Sequence, residues 1–316
     1  MVDVASIPAI ELAESERVAR LEPPEGQVEM VLDTDTFNEI DDQFAVVYAV
    51  IAPSLDVHAM YAAPFHNTKS HGPGDGMERS YEELRNVLEL IDHPDPAGIA
   101  YRGAQSYLDD QSSPAAPPAV TDLIERARAR DPNDPLYVVA IGAPTNVAMA
   151  VHRAPDIGDR IVVVWLGGHP LDWHTAREFN LQQDYIASRT LFDAGVPLVQ
   201  IPCRNVAEHV RSSVPELETH LEETGAIGEY LLDIVSNYHT RPSPDRPWSK
   251  EIWDLAPIAY LRNPEWIPSV LVSSPILSAE LTYSKDTARH LIRVGRYADR
   301  DAIFADFFDH LADHGE

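Results

Sequence analysis

Short apolar runs recur along the chain and are separated by amphipathic segments. VEMVLD (28–33), DVHAMYAA (56–63), LYVVAIG (136–142), RIVVVWLG (160–167) and VPLVQIP (196–202) read as buried strands, too apolar to be half-exposed. Between them, Ile40, Phe44, Val47 and Ile51 repeat at spacings of four, three and four before Pro53, which predicts a helix. SYEELRNVLELI (80–91) and TNVAMAVHRA (145–154) carry the same signature. This alternation predicts an α/β fold: a single domain over residues 28–316, with a mostly parallel central sheet and helices on both faces. Residues 1–27 form an N-terminal extension packed on it, and the Pro-rich stretches 112–119 and 239–249 read as exposed loops.

Composition narrows the function. Twenty-four basic against 51 acidic residues give a formal charge of −27, which argues against nucleic acid as a partner, because phosphate backbones need clustered Lys and Arg. No apolar run approaches the ~18 residues of a membrane-spanning helix, so no membrane partner is expected. One cysteine, Cys203, precludes an intrachain disulfide and a cysteine-based metal site. With an N-terminus that lacks a secretory pattern, this makes the cytoplasm the expected compartment.

The candidate chemistry lies in VLDTDTFNEIDDQFAV (31–46), where Asp33, Asp35, Glu39, Asp41 and Asp42 fall between the first strand and the first core helix. Ligands of open parallel sheets bind beyond the carboxyl ends of the strands, which is where Asp33 and Asp35 lie. Thr36 and Glu39 have the spacing of a capping box, and Asp41 and Asp42 suit the positive end of the helix. Capping leaves Asp33 and Asp35 unexplained. Carboxylates leaving a buried strand repel one another and are desolvated, and a hard, oxygen-loving cation such as Ca²⁺ or Mg²⁺ relieves both costs. An EF-hand is excluded, because its Gly and Glu positions hold Asn38 and Phe44. A haloacid-dehalogenase-like phosphatase is an alternative, but Phe37 stands at the fifth place of its motif, and Lys69, Lys250 and Lys285 sit in no recognisable context.

Asp-x-Asp followed by a paired Asp-Asp opening a helix resembles the inosine-uridine nucleoside hydrolases. HNTKS (66–70), IGAPTNVAMAV (141–151), VVVWLGG (162–168), REFNLQQD (177–184) and WDLAPIAYL (253–261) resemble later motifs of that family, in the same order. The resemblance implies cleavage of the N-glycosidic bond of a ribonucleoside. It implies Ca²⁺ held by Asp35, Asp42, Asp254 and the carbonyl of Ile141, with Asp35 also accepting a proton from calcium-bound water. Asp41, Asn67, Glu178 and Asn180 would bind the ribose hydroxyls, and the chain would form a homo-oligomer, a dimer or tetramer.

Two departures qualify it. Five residues, Thr36 to Ile40, separate the opening motif from the Asp pair, where the family usually has three, so Glu39 becomes a helix cap or an extra site carboxylate. Trp253 stands where best-known members have the His that protonates the leaving base. An indole cannot donate that proton but can stack on a purine, which favours purines. His239 is then the first candidate acid, ahead of His66 and His174, and Asp172 or His174 lies nearest the place of a missing ribose-binding Asn. A non-catalytic, ribosyl-binding relative is the remaining alternative.

Overall fold

The computed structural model describes residues 7–108, 116–238 and 246–315. Each apolar run becomes a strand: β1 (Val28–Thr34), β2 (Leu55–Ala62), β4 (Leu136–Ala140), β5 (Ile161–Leu166) and β6 (Leu198–Ile201), joined by the short β3 (Ala100–Arg102). They belong to one eight-stranded sheet in the order β3-β2-β1-β4-β5-β6, followed by Leu291–Gly295 and Ser269–Ser273. All neighbours pair in parallel except the final two, which are antiparallel.

Successive β1 residues face opposite sides, so Met30 and Leu32 enter one apolar core and Val31 the other. Helices cover both. Since β1 lies between β2 and β4, the chain leaves it first in one direction and later in the other, and a crevice opens at the strand ends beside Asp33 and Ile141.

Helix α2 (Asp42–Ile51), which follows α1 (Glu14–Arg20), is buried on all sides from Asp42 to Ala49. Its pattern predicted one covered face. It packs instead against β2, α3 (Pro73–Leu90) and the helices Leu255–Arg262 and Arg300–Gly315, with Phe307 against Phe44 at 5.8 Å and Tyr48 at 5.6 Å.

The capping-box expectation fails. Asp41 occupies the N-cap in a helical conformation with no side-chain cap, while Thr36 Oγ1 lies 3.0 Å from Thr34 Oγ1. Residues 35–38 form a tight turn closed by Asn38 N donating to Asp35 O at 2.7 Å, which removes the extended approach a capping box needs.

The described part of the N-terminal segment lies on the sheet's far side. Ile10 N donates to Ala194 O at 2.8 Å, Arg20 Nε to Asp159 O at 2.9 Å, and Leu21 is buried in the core. The 112–119 stretch divides: 112–115 lie outside the described residues, and Pro118 opens the helix Pro118–Ala129.

Candidate active site

Beyond the carboxyl ends of β1, β4, β5 and β6 lies a cavity of about 490 Å³, within the range of small-molecule sites. Asp35, Asp41, Asp42 and Asp254 all line it and all are buried. Carboxylate oxygens of Asp41, Asp42 and Asp254 lie within 4.8 Å of one another. Thr34 Oγ1 donates to Asp42 Oδ1 at 2.5 Å. Asp35 Oδ2 is buried without a hydrogen-bond partner among the described residues. The close triad thus contains Asp41, expected on the ribose, with Asp35 beside it.

Burial dominates the electrostatics. It pushes Asp41 up to about 6 and Asp42 to about 8, and raises Asp35 and Asp254 well above the carboxylate range. Neighbouring carboxylates add to the effect at Asp35, Asp42 and Asp254, whereas Lys250 holds Asp41 lower. A divalent cation fits this set: oxygen donors converge, one buried oxygen lacks a partner, and positive charge would offset the repulsion.

The supporting residues explain the local chain. Asp33 Oδ1 accepts from Asn146 Nδ2 at 2.7 Å; Asn146 also donates to Ala62 O at 3.2 Å and accepts from Ala104 N at 2.8 Å. One amide thereby ties the ends of β1 and β2 to the loop after β3. At Gly142 an added Cβ would lie 3.0 Å from the Asp35 carboxylate, so the chain after β4 has no room for a side chain without displacing that group.

Other expected residues also converge. Asn180 Nδ2 donates to Ile141 O at 2.9 Å and Leu166 O at 3.1 Å, bracing β4 and β5. Glu178 accepts from Gly168 N at 2.8 Å and from Asn180 N and Leu181 N at 3.0 Å, and takes a hydrogen bond from the Cys203 thiol. Asn67 Nδ2 donates to Asn38 Oδ1 at 2.7 Å, joining the loop after β2 to the enlarged turn. Ile141, Asn67, Glu178, Asn180 and Trp253 all line the cavity. His66, Asp172 and His174 do not, and His239 lies outside the described residues. Cys203 and His169, which sequence reasoning did not select, line it instead; a lone thiol and a loop imidazole carry no pattern that would have marked them.

Glu39 does not cap the helix; it lines the cavity as an additional carboxylate. Its Oε2 forms a 2.6 Å ion pair with Lys250, whose side chain is 5% exposed and whose Nζ lies 5.2 Å from the Tyr238 ring centroid. The turn between β1 and α2 therefore brings a carboxylate to a buried ammonium. Glu39→Gln should destabilise the protein by about 2–4 kcal/mol in urea unfolding, somewhat below a fully buried pair because Glu39 is 39% exposed. A change under about 0.5 kcal/mol would show that the pair contributes little.

The comparisons with known proteins agree with this geometry. A pyrimidine-specific ribonucleoside hydrolase, RihA of Klebsiella pneumoniae, is 27% identical over 262 residues, covering 75% of this chain and 80% of that one. Among solved structures, a purine-preferring ribonucleoside hydrolase from Gardnerella vaginalis superposes with a TM-score of 0.73 at 19% identity, over 91% of this chain and 99% of that one. A plant nucleoside hydrolase, PpNRh1, gives 0.72 at 18%, over 90% and 99%. At these identities the two structures speak for the fold. The model of the inosine-uridine preferring nucleoside hydrolases matches residues 30–304, nearly the whole sheet and every strand end that builds the cavity, and the chain belongs to that family.

Proposed function

We propose that the protein hydrolyses the N-glycosidic bond of a ribonucleoside with the help of a divalent cation, calcium by the chemistry of its donors. The observation that carries this reading is the group of buried carboxylates at the sheet's carboxyl edge, inside a cavity of about 490 Å³, in a chain of this family.

Asp35, Asp42, Asp254 and the Ile141 carbonyl would hold the cation, with Asp41 close enough to share it or to reach the sugar. Bound there, a divalent cation lowers the pKa of a coordinated water. Asp35 would take a proton from that water, a role supported by its buried Oδ2, which has no hydrogen-bond partner among the described residues. Asn67, Glu178, Asn180 and Asp41 would fix the ribose hydroxyls, which favours a sugar turning oxocarbenium-like as the bond to the base breaks. Nδ2 of Asn180 is committed to strand carbonyls, so its Oδ1 is the atom left for the sugar.

Trp253 lines both this cavity and a second one and would present an aromatic surface to the leaving base. This supports acceptance of a purine, while the pyrimidine-specific relative supports the opposite preference. The phosphatase alternative loses its basis with the family match. Dimers or tetramers and a cytoplasmic location remain part of the proposal; the exposed Val270 lies on the sheet's edge strand, a surface suited to self-association, which light scattering tests.

The decisive experiment supplies purine and pyrimidine ribonucleosides to calcium-loaded protein and measures reducing sugar. Ribose release that a chelator abolishes and calcium restores is the expected result. Tight binding without release would identify a non-catalytic relative, and release insensitive to chelation would remove the cation from the mechanism.

A further inference from the structure

Several cations in this acidic protein are matched to carboxylates, but two that line the cavity are not. Lys69 and Arg177 have no carboxylate within ion-pair distance among the described residues. Lys69 is half-buried and its Nζ reaches the Phe37 carbonyl at 3.4 Å. Arg177 lies at the exposed rim of the cavity, where its Nη1 makes a 3.5 Å contact with Gln182 Oε1. Burial pushes the Lys69 ammonium down, and the charges of Glu39, Asp41 and Asp42 oppose that effect from beyond ion-pair distance. In a chain of charge −27, an anionic ligand would be repelled at long range and would need such local cations.

Their positions favour the sugar over the base. Lys69 is two residues from Asn67, and Arg177 directly precedes Glu178, both assigned to ribose hydroxyls. The loops are joined: His66 N donates to Gln183 Oε1 at 2.7 Å, which brings the 66–70 loop against the helix Phe179–Gln183 that Glu178 caps. Trp253 lines the second cavity as well.

We infer that Lys69 and Arg177 form an anion subsite beside the ribose, so that the preferred substrate is a riboside carrying a phosphate on its sugar. The inference rests on the N-ribosyl hydrolase reading. Water would add its oxygen to C1′, the C1′–N bond would break with its electron pair leaving on the base, and a proton would pass to that base, giving ribose 5-phosphate and the free base.

The test compares kcat/KM for matched nucleosides and nucleoside 5′-monophosphates, with ribosides bearing a carboxylate on the base as a third arm. The monophosphate should be favoured by about tenfold or more, mainly through KM, as expected for one or two charge-assisted contacts. Lys69→Met and Arg177→Gln should each lower the monophosphate-to-nucleoside ratio several-fold, and ribose 5-phosphate should inhibit at lower concentration than ribose. A preference for plain nucleosides overturns the inference, as does an equal loss on both substrates in the variants, which would mean that the cations only balance the acid cluster. A preference for base-carboxylated ribosides overturns its assignment to the sugar. Turnover of no riboside at all would overturn the hydrolase reading, and this inference with it.

Discussion

Asp35→Asn is expected to lower ribonucleoside turnover by about three orders of magnitude or more, the upper range for loss of a positioned proton acceptor, compounded by a weakened cation site. The substitution keeps the side chain's size at a position that is 1% exposed, so the fold should persist. It also removes one negative charge from a group in which Asp35 is disfavoured first by burial and then by Asp42 and Asp41. Cation-free Asp35→Asn protein should therefore melt at an equal or higher temperature than the unaltered protein, although it is far less active. Loss of activity accompanied by a lower melting temperature would instead mean that Asp35 serves the fold. Retention of more than about a tenth of the activity would exclude it as the proton acceptor.

Much of this site was legible because its main determinants are local and ordered. An apolar run ending in Asp33 and Asp35 marks both a central strand and the sheet edge where ligands bind, and the later motifs bring Ile141, Glu178, Asn180 and Asp254 to the same edge. Pairings that depend on distant residues were not legible. Lys250 had no recognisable context in the sequence because its partner, Glu39, lies more than two hundred residues away in an enlarged turn. Asn146, inside an amphipathic helix pattern, gave no sign that its amide would bind Asp33 and Ala62. The weaker strands were hidden for other reasons. Ala100–Arg102 is three residues long, and Leu291–Gly295 carries Arg293, whose buried guanidinium is met by the Leu21 carbonyl, Ser269 Oγ and the Glu22 carboxylate. Helix α2 looked amphipathic because its polar members, Asp42 and Gln43, are buried for reasons other than hydrophobicity: one faces the acid cluster and the other hydrogen-bonds Glu83 at 3.1 Å.

The same acids make stability depend on pH and cation together, and this gives the second large effect. In the cation-free fold, burial pushes Asp33 to about 7, Asp41 to about 6 and Asp42 to about 8, against roughly 4 for a carboxyl in an unfolded chain. Between pH 4 and 8 the folded protein therefore holds protons that the unfolded chain releases. Stability must fall as pH rises through this window, the reverse of the usual salt-bridged carboxylate. Below pH 4 both states are protonated and the penalty vanishes; above pH 8 it is fully present. The expected loss between pH 5 and 8 is on the order of a few kcal/mol, since one pKa unit corresponds to about 1.4 kcal/mol and the groups share their repulsion. Calcium should reverse it by binding the ionised cluster, stabilising by about 2.7 kcal/mol at a hundredfold excess over Kd, and its effect on melting should be greater at pH 8 than at pH 5, where protons compete. General repulsion within a protein of charge −27 has the same sign, but it acts among exposed groups and is screened by salt. The melting series should therefore be run with and without 0.5 M KCl, on the unaltered protein and Asp42→Asn. A pH dependence that survives salt and shrinks in Asp42→Asn places the effect in the buried cluster; one that disappears in salt, or a calcium shift equal at both pH values, would remove the cluster as its source.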